Sequence, residues 1–197
     1  MFLSKCILNY SSPINPYQLH REIWKLFPDR PDDKRDYLFR VENLDQKAPP
    51  QILLQSFIKP AAEQGKSMIL SQSKKVTLHL RSGQLLRFMI RANPTKRIKE
   101  ENKNRNQGRV RVPIIEEEEM SVWLRRQLKD AAVIHEMMIN GQNIMYFRKG
   151  SDTGKVVAIT YSGILEVKNE TKFLSIIEKG IGPAKSFGCG MLSVAPA

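Results

Sequence analysis

The stretch NPYQLHREIWKLFPDRP, residues 15–31, places a tyrosine and a histidine three residues apart on what reads as a short amphipathic helix. Residues at i and i+3 share a helix face, so Tyr17 and His20 can reach one point. They flank the apolar stripe of Leu19, Ile23 and Leu26 rather than forming its centre. Histidine is the best single side chain for moving protons near neutrality. At this position it is either a packed boundary residue or a proton carrier whose polar tip faces a cleft. The other two histidines, His79 and His135, fall within strand-like apolar runs and read as structural or surface groups.

Other chemistries find little support. The three histidines lie apart, and none has a cysteine or carboxylate at ligand spacing. The run EEEE at 116–119 reads as a helix N-terminus, where carboxylates suit the macrodipole. No Gly-x-Ser-x-Gly elbow occurs. Cys6 and Cys189 stand at opposite ends of the chain without a Cys-x-x-Cys pattern, which fits a reducing compartment. No metal and no cofactor are expected. Metal-free acid–base chemistry on a nucleic acid is natural to RNA, whose 2′-hydroxyl can attack the adjacent phosphorus. It needs a proton acceptor for that hydroxyl, a proton donor for the leaving 5′-oxygen and a cation for the developing charge.

Charge points the same way. The chain of 197 residues has a formal net charge of +12, and the pI is about 9.8. From Gln64 to Lys99 there is no Asp or Glu, and the 95–112 segment adds seven bases against Glu100 and Glu101. Such a run is either a solvated basic surface or a footprint for phosphates. RNA is favoured over DNA because no helix-turn-helix, zinc finger or basic zipper is present. A membrane surface fits poorly, for want of a basic amphipathic helix. No stretch approaches the roughly 18 apolar residues of a span. The N-terminus lacks a signal-peptide pattern. A cytoplasmic protein is expected.

The segment GIGPAKSFGCG, 180–190, concentrates glycines about Lys185 and Ser186. It is not a nucleotide-binding P-loop: Ala184 precedes Lys-Ser, and the order is helix to strand. It is either a tight C-cap with a bulge or a loop that contacts phosphate.

The elements that must position these groups read as follows. FLSKCILN (2–9) is a strand. Asn15 caps a helix that runs from Pro16 to about Phe27. DYLFRVE (36–42) and QILLQSFI (51–58) are strands. SKKVTLHL (73–80) is a strand or a short helical continuation, and GQLLRFMIRANP (83–94) holds a further strand. The polar segment 95–113 reads as a mobile arm or long loop. Residues 116–132 are helical. Asn140-Gly141 signals a hairpin turn between AVIHEMMI and QNIMYFRK. Residues 155–167 form one long strand or a bent pair broken at Ser162-Gly163. Asn169 caps a helix ending at Gly180, and MLSVA closes the chain. The expected fold class is α+β, two tandem ferredoxin-like domains: 1–92, a basic arm 93–113, and 114–197.

Three motifs appear in order: YQLHREIWKLFPDRPDDKRDYLFRVE, RFMIRANPTKR and GIGPAKSFGCGMLSVAP. Together they closely resemble the CasE-type CRISPR repeat-processing endoribonucleases, subunits of the Cascade complex of type I-E systems. The resemblance covers essentially the whole chain. It implies metal-independent cleavage of the repeat RNA at the 3′ base of its stem-loop, with the enzyme staying on its product as a Cascade subunit. It implies that the partners are the stem-loop RNA and other Cascade proteins, with a monomer when alone. Position by position, it places the catalytic histidine at His20 and its tyrosine at Tyr17, and some members have a lysine where Lys25 stands. On an ideal helix Lys25 points well away from His20. It maps the RNA-binding loop onto Gly182, Lys185, Ser186 and Gly188, and the basic arm onto Lys96, Arg97, Lys99, Lys103, Arg105, Arg109 and Arg111. Arg91 and Lys155 complete the expected RNA contacts. The runner-up reading is a non-catalytic RNA-binding scaffold of a ribonucleoprotein, which leaves Tyr17 and His20 idle.

Overall fold

The computed structural model describes residues 1–8, 16–28, 36–42, 49–61, 68–99, 109–149 and 152–197. The first sheet comprises β1 (Phe2–Leu8), β2 (Tyr37–Val41), β3 (Gln51–Ser56) and β4 (Met68–Lys75), in the order β2-β3-β1-β4. All neighbours are antiparallel. Helix α1 (Pro16–Trp24) connects β1 to β2, and β3 lies between them. Pro16 opens α1, where its missing N–H costs nothing; Asn15 lies outside the described residues. Leu19 and Ile23 are buried, and the helix ends in a tight turn closed by Leu26 N–H to Ile23 O and Phe27 N–H to Trp24 O. Leu19, Ile23, Leu26 and Phe27 join Cys6, Leu8, Phe39, Ile52, Leu54 and Met68 in one core.

The second sheet comprises β5 (Leu85–Ala92), β8 (Ala132–Lys149), β9 (Asp152–Val167) and β10 (Leu192–Pro196), in the order β10-β5-β9-β8. Its core gathers Phe88 and Ile90 of β5, Trp123, Leu124 and Leu128 of α2 (Glu117–Leu128), and Phe173 and Ile177 of α3 (Glu170–Lys179). Asn169 caps α3, accepting from Lys172 N–H at 2.9 Å. The strand expected to close the first sheet, within 83–94, instead belongs to the second sheet. The first is closed by β4, whose residues 68–75 alternate too weakly to be read.

Two further expectations are corrected. The chain does not turn at Asn140-Gly141: β8 runs through it for 18 residues, paired with β9 throughout. A register shift between Ile139 and Gly141 absorbs Asn140 as an irregularity, and Gly141 pairs with Thr160. β9 is likewise one strand, unbroken at Ser162-Gly163, where a Cβ would run into the Glu136 carbonyl. The flanks of the 95–113 segment are not a loose arm. β6 (Thr95–Lys99) and β7 (Arg109–Pro113) form an antiparallel ribbon inserted between β5 and α2.

The two sheets are bonded to each other. Arg40 of β2, almost fully buried, donates to Ser193 Oγ at 3.0 Å and to Met89 O at 3.4 Å. Its charge is paired with Glu42 at 2.7 Å. Gln55 Nε2 donates to Ile177 O at 2.8 Å. Burying a charge is costly unless it is paired and hydrogen-bonded, so this junction holds only in one geometry.

Candidate active site

Tyr17 and His20 are both half-buried on α1. The histidine sits at the lip of an aromatic group. Its ring centroid is 6.1 Å from Trp24, edge to face, and 5.8 Å from Tyr37. Tyr37 stacks on Phe27 at 5.3 Å with an interplanar angle of 11°. Its hydroxyl lies 2.9 Å from His20 Nδ1 and also donates to the His20 carbonyl at 3.3 Å. Sequence reading missed Tyr37, because it is 17 residues from His20 and meets it only when β2 forms.

The glycine-rich segment comes to the same helix. Lys185–Phe187 is a single 3₁₀ turn that packs against α1 and β2. Ile181 N–H to Gly190 O at 2.9 Å pinches the loop shut, and Gly190 N–H to Arg91 O at 2.6 Å ties it to β5. A Cβ on Gly182 would lie 2.9 Å from the Trp123 ring, and one on Gly188 3.1 Å from Phe39. Both glycines therefore let the backbone lie against protein aromatics. Lys185 donates to Lys179 O at 2.6 Å, at the C-terminal end of α3 where a cation suits the dipole.

The far half of the β8–β9 hairpin completes the arrangement. β8 packs against α1. Phe147 meets Phe187 at 4.7 Å between centroids, and Met145, Val156 and Ala158 gather about Cys189. The aromatic pair was another signal missed, since Phe147 and Phe187 are far apart in the chain. The long hairpin thus braces the loop, and the loop braces the helix that carries His20.

The remaining expected residues are placed as follows. Lys25 is exposed and pairs with Glu22 at 2.7 Å. Arg97, Lys99 and Arg111 are exposed on the β6–β7 ribbon, with Arg97 directly opposite Arg111. The backbone register sets Lys99 opposite Arg109. Lys96, on the other face, is held by Glu119 of α2 at 2.7 Å. Lys103 and Arg105 lie outside the described residues. Lys155 is exposed on β9, opposite Tyr146. Arg91 is half-buried on β5, and its Nε has no hydrogen-bond partner among the described residues. Burial lowers its guanidinium below the ordinary value; Arg40 acts the same way, against Cys189 and Glu42. His79 is exposed, and His135 Nε2 meets Glu166 at 2.9 Å on the sheet surface. Among the described residues, no three His, Cys, Asp or Glu side chains gather to hold a metal. No described helix is long and apolar enough to cross a membrane.

The chain is 38% identical over 200 residues to the CRISPR system Cascade subunit CasE of Escherichia coli K12, covering all of both chains. It is 29% identical over 222 residues, again covering all of both, to the CRISPR-associated endoribonuclease Cse3 of Thermus thermophilus. The fold matches a structure of Thermus thermophilus Cse3 bound to an RNA representing a pre-cleavage complex, with a TM-score of 0.84 and 30% identity over 99% of this chain and 98% of that one. The family model described as CRISPR associated protein spans residues 1–196, and the chain belongs to that family.

Proposed function

We propose that this protein is a metal-independent endoribonuclease that cuts CRISPR repeat precursor RNA at the 3′ base of the repeat stem-loop. It keeps the mature RNA and joins Cascade as a subunit. The observation that carries this reading is that α1, the helix bearing Tyr17 and His20, packs against the Lys185–Phe187 turn. Proton-transfer groups and a turn bearing a lysine then stand on elements packed together. The 2′-hydroxyl loses its proton and attacks the neighbouring phosphorus. The bond from phosphorus to the 5′-oxygen breaks, and that oxygen takes up a proton. His20 transfers protons, Tyr17 assists the 2′-hydroxyl or orients the phosphate, and the lysine charges of Lys25 and Lys185 stabilise the transition state. The products are a 5′-hydroxyl and a 2′,3′-cyclic phosphate or 3′-phosphate.

The stem lies along the basic ribbon. Arg97 and Arg111, with Lys99, Arg109 and the Lys103/Arg105 segment between, contact its phosphates, and Lys96 joins them after release from Glu119. Gly182, Lys185, Ser186 and Gly188 form the loop beside the scissile phosphate, and Lys155 and Arg91 add charge around it. The half-buried Arg91 Nε without a described partner supports a role that an anion completes. Both sheets share one strand order: numbering the four strands of each in chain order gives 4-1-3-2. This supports two ferredoxin-like domains divided between β4 and β5, with the ribbon as an insertion in the second. The cytoplasm, where CRISPR RNA is made, is the compartment this reading requires.

The test is cleavage of end-labelled repeat RNA in excess EDTA, with the product ends identified by mass spectrometry. Full activity and a cyclic phosphate are expected. Activity that disappears in EDTA and returns with Mg²⁺ would sink the metal-free mechanism.

A further inference from the structure

We infer that Tyr37 is a positioning residue for His20: it holds Nδ1 and leaves Nε2 as the nitrogen that exchanges protons with the RNA. This rests on the catalytic reading of His20 given above. Tyr37 opens β2 and is 3% exposed. Its ring is fixed by stacking on Phe27 and by Phe39 at 6.5 Å. The hydroxyl therefore stands at a set point, 2.9 Å from Nδ1 and 3.3 Å from the His20 carbonyl oxygen.

A phenol has one proton to give and lone pairs to receive another. With a neutral imidazole, Nδ1–H donates to the Tyr37 oxygen while the Tyr37 O–H donates to the His20 carbonyl, which leaves the open lone pair on Nε2. With an imidazolium the same two bonds persist, and the added proton sits on Nε2, from which it can be returned. One oxygen thus satisfies Nδ1 in both states without moving the ring. The bond to the backbone carbonyl also ties the phenol to α1 itself, so side chain and helix keep one relative position. Trp24, edge-on to the histidine ring, closes a further side. Reaction at Nε2 then requires no reorientation between the acid and base forms. Phenylalanine at position 37 would preserve the stack and remove the device.

The experiment compares the full-length wild type with Tyr37→Phe, both labelled with ¹⁵N-histidine. Long-range ¹⁵N–¹H spectra report the tautomer of each neutral histidine, and His20→Ala identifies the His20 signals. The wild type should show the Nδ1–H tautomer at His20, and Tyr37→Phe a mixture. Tyr37→Phe should bind repeat stem-loop RNA within about twofold of wild type and cut it about three- to tenfold more slowly in a single turnover, as expected for removal of one hydrogen bond. An Nε2–H tautomer in the wild type would overturn the inference. So would a Tyr37→Phe variant with wild-type tautomer and rate, or one whose binding, melting temperature and rate fall together. If His20→Ala cuts as well as wild type, the catalytic reading of His20 fails. If His20→Ala is inert and Tyr37→Phe is unchanged, only the role of Tyr37 fails.

Discussion

Arg97 and Arg111 stand directly opposite each other across the β6–β7 ribbon, both exposed, in one cross-strand pair. Like charges in that relation repel and weaken a ribbon on its own. A polyanion reverses the sign of the effect. Replacing both with alanine should leave the melting temperature unchanged or slightly raised. Affinity for the stem-loop should fall, and the slope of log affinity against log salt should shrink by about two, one for each phosphate no longer neutralised. Fluorescence anisotropy titrations at several salt concentrations measure it.

Lys25 is paired with Glu22 and exposed; in the proposed mechanism its charge acts on the reacting phosphate through solvent rather than by contact. Lys25→Ala should slow single-turnover cleavage about three- to tenfold at low salt. Screening should shrink that deficit toward nothing near 0.5 M salt, where the Debye length is only about 4 Å. A deficit that persists undiminished at high salt would instead indicate direct contact with the RNA.

Phe187 couples the glycine-rich loop to the hairpin through Phe147. Phe187→Ala should destabilise the protein by about 2 kcal/mol, from poorer packing and removal of the aromatic pair. Because the same turn rests on α1, cleavage should fall further than stem-loop affinity. Phe187→Leu should restore most of the stability and part of the rate. Thermal melting and single-turnover kinetics on the three proteins check this.

Burial pushes the thiols of Cys6 and Cys189 up to about 12, from an ordinary value of 9.0; the Arg91 charge works against the rise at Cys189. Between those values the folded chain keeps protons that the unfolded chain releases. Stability should therefore be insensitive to these thiols below about pH 9 and fall as pH rises above it, by roughly 1 to 1.5 kcal/mol for each thiol by pH 10. Urea melts across about pH 8 to 10.5 measure the slope, which Cys6→Ala should reduce by about half. Both thiols should also resist alkylation in native protein and react on unfolding.

Much of the fold was legible because local signals and tertiary packing agree. Pro16 and the Leu19/Ile23 spacing announce α1, and Asn169 with Gly180 brackets α3. The Asn140-Gly141 signal failed because pairing along the 16 residues of β9 outweighs a two-residue turn preference, and a register shift accommodates it. The ribbon escaped notice because Lys96, Arg97 and Lys99 on one strand and Arg109 and Arg111 on the other conceal the paired Ile98 and Val110. The place of Tyr17 and His20 together on α1 was legible from helical spacing, and the family resemblance singled out His20. Tyr37, Phe147 and Phe187 were not, since each meets its partner only across elements far apart in the chain.

The central claim is that His20 performs chemistry rather than packing. The measurement is parallel titration and single-turnover cleavage of one labelled repeat stem-loop by wild type and His20→Ala. The predicted result is binding within about twofold of wild type and cleavage slower by at least about a hundredfold, the lower range for loss of an acid–base group. Equal losses of binding and cutting, or cleavage at the wild-type rate, would contradict it.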